Sequence, residues 1–394
     1  MKIIINRTSI QNFALYLYFF SINIENFNLG GYGSISYFCG ILYLILLLPS
    51  FKKFFVLNEN LYFLLPLFLF VFYLTIVSIL NINNISIRVI DTAMILNMSL
   101  FLIIANHPRK DPQVLDKAMF IFAFGSFLVA SLLFLGFGVE QTDEGINASR
   151  ETFFNAGPNE IAIKLTTGAI ILFVMLFQDY LDFGRSRILF IFCIPIIFLA
   201  VFKTGSRTAL LVPILAFLSW YFFRVLASKY KIGAIISGIV IGIIVLLPLI
   251  YLASTQQVLI ERVAQTGGIG DTTGATGRLV LWTGFFTLMQ ENLIFGNGLS
   301  GFDLITYNYF GFIESPHNVL LELILYTGLI GLFIFSVFVF RAVKVSFLVF
   351  KQDGKVLPIL LVPTLAAFML ALQGLNEKVC WAIFAYIIGS YLYN

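Results

Sequence analysis

Apolar runs about as long as a membrane-crossing helix recur along the whole chain. A helix needs about 20 predominantly apolar residues to cross the roughly 30 Å of bilayer hydrocarbon. Stretches approaching that length lie near residues 12–24, 34–50, 61–80, 88–105, 117–138, 158–178, 187–202, 207–223, 232–253, 317–340, 356–373 and 377–392. The pattern predicts an all-α polytopic membrane protein with about 12 transmembrane helices, forming one integral membrane domain over residues 1–394.

Composition agrees with that pattern. The 394 residues are 60% hydrophobic and 11% charged, with a mean hydropathy of +0.97, whereas soluble domains carry about 25% charged residues. A soluble enzyme, a nucleic-acid binder and a disordered scaffold are therefore excluded. Cys39, Cys193 and Cys380 stand in apolar runs without disulfide or zinc spacing, and are expected to be buried apolar side chains.

The basic residues of the short loops predict the orientation. If the N-terminus is cytoplasmic, most of the 24 basic residues fall on the cytoplasmic side, and an even number of spans returns the C-terminus there. The first span lacks a small-residue cleavage site and is interpreted as a retained helix. The opposite face of the membrane then carries eight basic residues, some of them expected to pair with acids: Arg88, Arg150, Lys164, Lys203, Arg207, Arg262, Arg278 and Lys378.

One connection is much longer than the others. Residues 254–316 separate the ninth and tenth spans, and loops of this length are usually functional or disordered. Leu279, Trp282, Phe286 and Met289 recur at spacings of three and four, which predicts a short amphipathic helix at the membrane–water boundary on this opposite face. The preceding glycine-rich stretch 266–274 is interpreted as a flexible approach. It is not a phosphate loop, because no strand precedes it and no Gly-Lys-Ser/Thr follows.

Two arginines on this face are candidates for binding an anion. Ser206 is a natural N-cap, and it places Arg207 at a helix N-terminus, where backbone N–H groups already favour negative charge. Arg278 opens the amphipathic segment. Two guanidinium groups suit a diphosphate, because each binds phosphate oxygens bidentately and keeps its proton. The alternatives are a snorkelling or carboxylate-paired Arg207 and a solvated interfacial Arg278.

His317 is the candidate general base. The run Ser315-Pro316-His317-Asn318 predicts an N-cap, a first-position proline and a histidine in the first turn of the tenth span. A helix N-terminus disfavours imidazolium, so this histidine would be neutral and able to accept a proton. The alternative is a structural histidine. The other histidine, His107, is placed in a cytoplasmic loop.

Further polar residues on this face are weaker candidates for contacting sugar hydroxyls or orienting the histidine. Each has the alternative of an interfacial cap or a helix-packing contact. They are Arg88, Asn159, Glu160, Lys203, Asp303, Glu314, Asn318 and Glu322. No sequence pattern typical of a metal site is present, so neither a metal nor a cofactor is predicted.

Four short motifs in order resemble the O-antigen ligase and polymerase superfamily of bacterial membrane glycosyltransferases. The resemblance covers roughly residues 155–335. The motifs are Thr204-Gly205-Ser206-Arg207-Thr208-Ala209-Leu210, Gly277-Arg278-Leu279-Val280-Leu281-Trp282, Phe295-Gly296-Asn297-Gly298, and Pro316-His317-Asn318-Val319-Leu320-Leu321-Glu322 followed by Gly328 and Gly331.

The resemblance implies a metal-independent transfer of a glycan from undecaprenyl diphosphate to a sugar hydroxyl at the periplasmic face. Arg207 and Arg278 would hold the diphosphate, and His317 would take the acceptor proton. The implied partners are the undecaprenyl-diphosphate-linked oligosaccharide, membrane lipids and a chain-length regulator. A polymerase uses another lipid-linked repeat unit as acceptor, and a ligase uses lipid A–core. The 45 phenylalanines, with many Ile and Asn, resemble the composition of O-antigen cluster proteins and favour the polymerase.

A transporter is the alternative from a different class. A lipid-linked oligosaccharide flippase would also have about 12 spans, with internal repeats and broken helices near the midplane. The two halves of this sequence show no convincing repeat, and the candidate polar residues gather at one face. These observations favour the transferase.

Overall fold

The computed structural model of the protein describes residues 7–27, 34–54, 57–109, 111–142, 150–154, 156–178, 180–254, 275–372 and 374–393. The described chain is predominantly α-helical. Its helices in order are α1 (Arg7–Ser21), α2 (Ile35–Leu47), α3 (Phe51–Phe54), α4 (Leu57–Leu80), α5 (Thr92–Ala105), α6 (Val114–Phe134), α7 (Pro158–Phe177), α8 (Arg187–Lys203), α9 (Arg207–Ala227), α10 (Lys231–Ser254), α11 (Ala275–Glu291), α12 (Gly298–Phe310), α13 (Val319–Asp353), α14 (Leu357–Ala371) and α15 (Lys378–Leu392).

Each of the 12 predicted spans overlaps one of these helices. Six segments among the described residues are long and apolar enough to cross a membrane: Ile35–Phe54, Asn60–Leu80, Val114–Phe134, Pro158–Phe177, Arg207–Ala227 and Val319–Asp353. A multi-span membrane protein is therefore confirmed, while the exact number of spans stays a prediction. The three cysteines are buried and free, as predicted.

Two predicted boundaries were wrong because side chains cap the helices at other positions. The span predicted from residue 88 begins as a helix only at Thr92, because the Asp91 side chain accepts a hydrogen bond from the Met94 amide. The span predicted from residue 317 begins at Val319 and continues to Asp353. Residues 81–91 instead form an irregular segment between α4 and α5.

A small hairpin also departs from the all-α prediction. Strands β1 (Val139–Thr142) and β2 (Arg150–Phe153) pair antiparallel, with Val139 opposite Phe153. The Phe153 side chain is buried in the main hydrophobic core. The hairpin lies between α6 and α7 and leads the chain into the first turn of α7.

The described part of the long connection, residues 275–316, contains two helices where one was predicted. A helix, α11, is present at the predicted position, but its buried face is formed by Phe285, Leu288 and Met289, whereas Phe286 is 52% exposed. The buried face is rotated from the predicted one because α11 packs on α12 and on the first turns of α13. Together they form a second, smaller core of Phe285, Leu288, Met289, Phe302, Leu321 and Leu325. The glycine-rich stretch 266–274 and Arg262 lie outside the described residues.

Helix α13 is interrupted at Gly328, whose backbone has φ +61° and ψ −165°. The segment 293–297 lies across this interruption. The Leu329 amide donates to the Leu293 carbonyl over 2.9 Å, and the Asn297 amide donates to the Leu325 carbonyl over 2.9 Å. Backbone groups freed by the interruption therefore bond to another segment of the protein, as membrane-embedded backbone requires.

Candidate functional site

The first turn of α9 has the local structure that the sequence predicts. Ser206 is the N-cap, and its hydroxyl oxygen accepts a hydrogen bond from the Ala209 amide over 3.4 Å. Arg207 is the first residue of the helix. The prediction of a capped helix N-terminus at Arg207 is confirmed, and the guanidinium is attached where the helix dipole favours an anion.

Asn159 connects this turn to α7. The buried Ser206 hydroxyl donates a hydrogen bond to Asn159 Oδ1 over 2.9 Å. The Thr166 hydroxyl of α7 also donates to the Ala209 carbonyl over 3.3 Å. The N-termini of α7 and α9 therefore lie at the same end of the helix bundle, called here the upper end, and Asn159 fixes the position of the residue before Arg207.

A buried ion cluster lies beside α7 at the upper end. Glu25 is paired with Lys164 and, over 2.5 Å, with Lys378. Lys164 also pairs with Glu160 over 2.5 Å and approaches Glu377 at 3.9 Å. The side chains of Glu25, Lys164 and Lys378 are each 7% exposed or less. Glu160, predicted as a weak sugar-binding candidate, is therefore an ion-pair member.

Charge explains the composition of this cluster. Burial alone would raise the pKa of Glu25, but the ammonium groups of Lys164 and Lys378 oppose that effect and bring its pKa down to about 2. Carboxylate oxygens of Glu25, Glu160 and Glu377 lie within 4.8 Å of one another, a spacing that could hold a metal ion. Because the ammonium groups of Lys164 and Lys378 already lie against these carboxylates and offset two of the three possible negative charges, the donor set fits an internal ion network better than a cation site.

His317 lies before α13 and not within its first turn. The N-cap is Asn318, whose side-chain oxygen accepts hydrogen bonds from the Leu320 and Leu321 amides. The prediction of Ser315 as N-cap and Pro316 as first helical residue was therefore wrong. His317 has φ +48°, in the left-handed region that non-glycine residues rarely occupy. The imidazole is consequently carried by a tight turn at the start of the helix.

Hydrogen bonds from neighbouring side chains shape this turn. The His317 amide donates to the Ser315 hydroxyl over 3.3 Å, and that hydroxyl donates to Glu322 Oε1 over 2.8 Å. Glu322 is buried, whereas the His317 side chain is 45% exposed. His317 Nε2 lies 3.9 Å from Glu314 Oε1. Glu322 thus bonds to the turn through Ser315, and Glu314 is a carboxylate beside the ring.

Helix α11 lies directly against the same turn. Trp282 Nε1 donates a hydrogen bond to the Pro316 carbonyl over 2.9 Å. Arg278 precedes Trp282 by four residues, which places both positions on one face of α11, one turn apart. The Arg278 side chain lies outside the described residues, so its predicted contact with a diphosphate stays a prediction.

Three other predicted residues contact neighbouring parts of the protein. Arg88 pairs with the buried Asp303 at 3.3 Å, and this pair joins the 81–91 segment to α12. Asn318 Nδ2 donates to the Leu370 carbonyl at the end of α14 over 3.3 Å. Lys203, in the last turn of α8, lies 5.3 Å from the centre of the Phe134 ring. These three residues therefore have structural contacts within the protein.

A series of contacts connects Arg207 to His317 along the upper end. It runs from Ser206 through Asn159 and the ion cluster to Lys378, at the start of α15. The connection into α15 then reaches α13, because a Cβ atom built on Gly374 would lie 3.1 Å from Val319 Cγ2. The starts of α7, α9, α13 and α15 therefore lie together, and Arg207 and His317 belong to the same end of the molecule.

A comparison with known protein families finds a match for the part of the chain that contains Arg207 and His317. Residues 190–336 match a family model described as O-antigen ligase. No curated protein matches the chain. The O-antigen ligase match begins in α8 and ends within α13, so it contains Arg207, Arg278, His317 and Glu322. Asn159 and the ion cluster lie outside the matched region.

Several residues of the upper end were not singled out by sequence reasoning. Glu25 directly follows the first span and Glu377 precedes the last helix, so each looked like an ordinary interfacial carboxylate. Ser315 was assigned to capping, although its hydroxyl bonds to Glu322. Trp282 was assigned to the membrane-facing stripe, and its indole N–H instead binds the turn before His317.

Proposed function

We propose that this protein is a membrane glycosyltransferase of O-antigen assembly, acting as an O-antigen polymerase. It transfers a glycan from undecaprenyl diphosphate to a sugar hydroxyl of another undecaprenyl-diphosphate-linked repeat unit at the periplasmic face of the inner membrane. The observation that carries the proposal is the placement of Arg207 and His317 at one end of the bundle, inside the region that matches the O-antigen ligase family. A chain-length regulator is a proposed partner.

The proposed reaction is a single displacement. The acceptor hydroxyl gives its proton to His317 as its oxygen attacks the anomeric carbon of the donor sugar. The bond between that carbon and the diphosphate oxygen breaks, and undecaprenyl diphosphate leaves. General base catalysis of this kind contributes about 10²–10⁴-fold to the rate. Because His317 is 45% exposed, an acceptor can reach it from outside the helix bundle.

Positive charge near the leaving group is the second contribution to the rate of transfer in this proposal. Negative charge develops on the diphosphate as the bond breaks, and fixed guanidinium groups lower the barrier by binding it there. Arg207 at the start of α9 and Arg278 in the first turn of α11 take this role in the proposal. With two permanent positive charges in place, the proposed step needs no metal ion.

The other upper-end residues act as positioning residues or sugar contacts in this proposal. Asn159 holds the cap before Arg207 through Ser206. Glu322 and Asn318 hold the turn that carries His317. Arg88 is 41% exposed beside this region, and it is a candidate for contacting a sugar hydroxyl, as is Lys203. Glu314, at 3.9 Å from His317 Nε2, is placed to interact with the imidazolium after proton transfer.

The transporter alternative gains one observation from the structure. The interruption of α13 is the broken helix expected of many secondary transporters, in which free helix ends bind substrate or ions. Here the freed groups at Leu325 and Leu329 bond to residues 297 and 293. Those groups are therefore occupied by protein, and the transferase accounts better for the arginines and histidine at the upper end.

The test is a gel of lipopolysaccharide from a strain lacking the protein, complemented with wild type or with single variants. His317→Ala, Arg207→Ala and Arg278→Ala are each expected to abolish the ladder while the protein still inserts. Arg224→Ala is the matched control, because Arg224 is in the last turn of the same helix as Arg207 and stacks on Trp220. Ladder formation by one of the three variants would remove that residue from the mechanism.

The band pattern of the strain lacking the protein distinguishes the possible acceptors. Core carrying a single repeat without a ladder indicates the polymerase. Bare core with accumulating lipid-linked polymer indicates the ligase. Purified protein that elongates lipid-linked glycan in detergent, where there is no membrane to cross, excludes a flippase as the whole function.

A further inference from the structure

An apolar groove of about 330 Å³ lies between α9 and α10. Its walls include Phe217, Leu218 and Tyr221 of α9 and Gly238, Ile239 and Gly242 of α10. The two glycines let the α9 rings approach α10 closely. A Cβ atom on Gly242 would lie 2.9 Å from Phe217 Cε1, and one on Gly238 would overlap the Tyr221 ring.

The groove continues the face of α9 that begins at Arg207. Leu218 follows Arg207 by 11 residues, which is about 16 Å along the helix axis and about 20° away around it. Tyr221 lies about 21 Å from Arg207 along the axis and about 40° to the other side. The groove is therefore placed near the middle of a hydrocarbon layer about 30 Å thick, below the arginine on nearly the same face.

This face is open to lipid. In the most apolar stretch of the Arg207–Ala227 span only 17% of the residues are buried, compared with 83% in the span that forms α7. Leu211, Leu215 and Leu218 form an exposed apolar stripe from the first turn of α9 to the groove. A membrane lipid can therefore reach the groove laterally, with its chain along α9 and its charged headgroup at the upper end.

We infer that this groove binds the polyprenyl chain of a lipid-linked glycan donor. The inference rests on the proposed function, which places the donor diphosphate at Arg207, and it adds a separate binding site for the chain. A chain attached to a diphosphate at the start of α9 must remain in the bilayer, and the exposed face of α9 leads it into the groove. The ring faces of Phe217 and Tyr221, together with Ile239, provide apolar surface for a methyl-branched chain.

Filling the groove tests the inference by kinetics. Ile239→Trp introduces a large side chain at the groove, and Ile236→Trp is its matched control. Both isoleucines are exposed on α10, at 54% and 59% respectively, but Ile236 is not among the groove-lining residues. With full-length protein in vesicles, we expect Ile239→Trp to raise KM for an undecaprenyl donor about tenfold with little change in kcat. A donor with two isoprene units, too short to reach the groove, should show no such change. Equal effects of the two variants, or equal effects on both donors, would overturn the inference.

A second measurement does not depend on turnover. A photoreactive benzoyl-phenylalanine is placed at position 239 or 236 of the full-length protein, in vesicles of phosphatidylethanolamine and phosphatidylglycerol containing undecaprenyl phosphate. Cross-linking to undecaprenyl phosphate from position 239, well above that from position 236, is the expected result. If position 239 cross-links to phospholipid and added undecaprenyl phosphate does not displace it, the groove holds ordinary acyl chains and the inference is wrong.

The two measurements separate failure of the groove from failure of the proposed function. If the wild-type protein transfers no glycan, yet the variant with the photoreactive residue at position 239 cross-links undecaprenyl phosphate, the proposed function is contradicted and the groove is supported. Wild-type protein that transfers glycan normally, with identical behaviour of Ile239→Trp and Ile236→Trp, contradicts only the groove.

Discussion

At the scale of single residues, the backbone of His317 is the most informative feature. A φ of +48° costs a non-glycine residue about 1–3 kcal/mol. The surrounding contacts hold it there: Asn318 caps the helix, and Ser315 and Glu322 complete the turn. A residue kept in an unfavourable backbone conformation by its neighbours fits the proposed role of His317 as a base in a fixed position.

Glycine at this position separates stability from activity. We expect His317→Gly to be more stable than His317→Ala by about 1 kcal/mol, because glycine adopts positive φ without strain while alanine does not. Both variants should lack glycan transfer. Thermal unfolding in detergent, alongside the lipopolysaccharide gel, checks the two parts. An alanine variant at least as stable as the glycine variant would show that the turn does not carry this strain.

At the scale of secondary-structure elements, the interruption of α13 depends on glycines at which any other side chain would meet neighbouring backbone. Gly328 has φ +61°, and a Cβ atom there would overlap the Ile294 carbonyl. Gly298 has φ +66°, and a Cβ atom on it would overlap the Ser78 backbone of α4. The chain from residue 293 to residue 298 is thus packed at backbone distance against α13 at Gly328 and against α4 at Ser78.

Two glycines of α13 with similar φ values allow a controlled comparison. Gly354 caps the end of the helix with φ +69° and has open space around it. We expect Gly354→Ala to cost about 1 kcal/mol, the ordinary penalty for alanine at positive φ. Gly328→Ala should cost about 3 kcal/mol, because backbone overlap is added to that penalty. Unfolding midpoints of the two purified variants measure the difference, and equal midpoints would mean that the 293–297 segment can move away from α13.

At the scale of the whole molecule, the ion cluster joins parts of the chain that lie far apart in sequence. Glu25 follows α1, Lys164 is in α7 and Lys378 begins α15. Only α8–α12 and part of α13 fall in the family match, so the cluster connects helices outside that region to one another. A buried pair of this kind is weak evidence for stability, but removing one partner is costly.

Removing the shared carboxylate should therefore destabilise the protein strongly. Glu25→Met leaves Lys164 and Lys378 buried with less compensation, and we expect a loss of about 3 kcal/mol in the free energy of unfolding. The double variant Glu25→Met with Lys378→Met should recover at least half of that loss, because Lys164 keeps Glu160. If the double variant is as unstable as the sum of the two single variants, the cluster is not an electrostatic unit.

The pH dependence of this contribution has a definite sign. Glu25 has its pKa lowered from 4.5 to about 2, so its contribution is fully present above about pH 4.5 and is lost as the pH falls towards 2. Comparing the free energies of unfolding of wild type and Glu25→Met at pH 5 and at pH 3 checks this sign, because the difference between them should shrink at the lower pH.

Local signals in the sequence predicted the helices and the cap at Ser206 because hydropathy and capping act over a few residues. The His317 turn was mispredicted because Ser315 and Asn318 are both good N-caps. The outcome depends on Glu322, which binds the Ser315 hydroxyl and leaves capping to Asn318. Helix α12 was missed because its glycine-rich start looks like a turn, and its position depends on contacts with α4. The ion cluster could not be predicted, since residues 25, 164 and 378 meet only when the bundle is assembled.

The segment that lies across Gly328 bridges the interruption in α13 with backbone hydrogen bonds, so the interruption is not a hinge. Amides that an unbroken helix would bond internally are bonded instead to carbonyls 36 residues earlier in the chain: Leu329 to Leu293 and Ile330 to Ile294. Hydrogen exchange at these two amides should therefore be as slow as in the continuous turns of α13. A displacement of the His317 end would then be transmitted through these hydrogen bonds to the 293–297 segment and on to α4, and the two halves of α13 would move together.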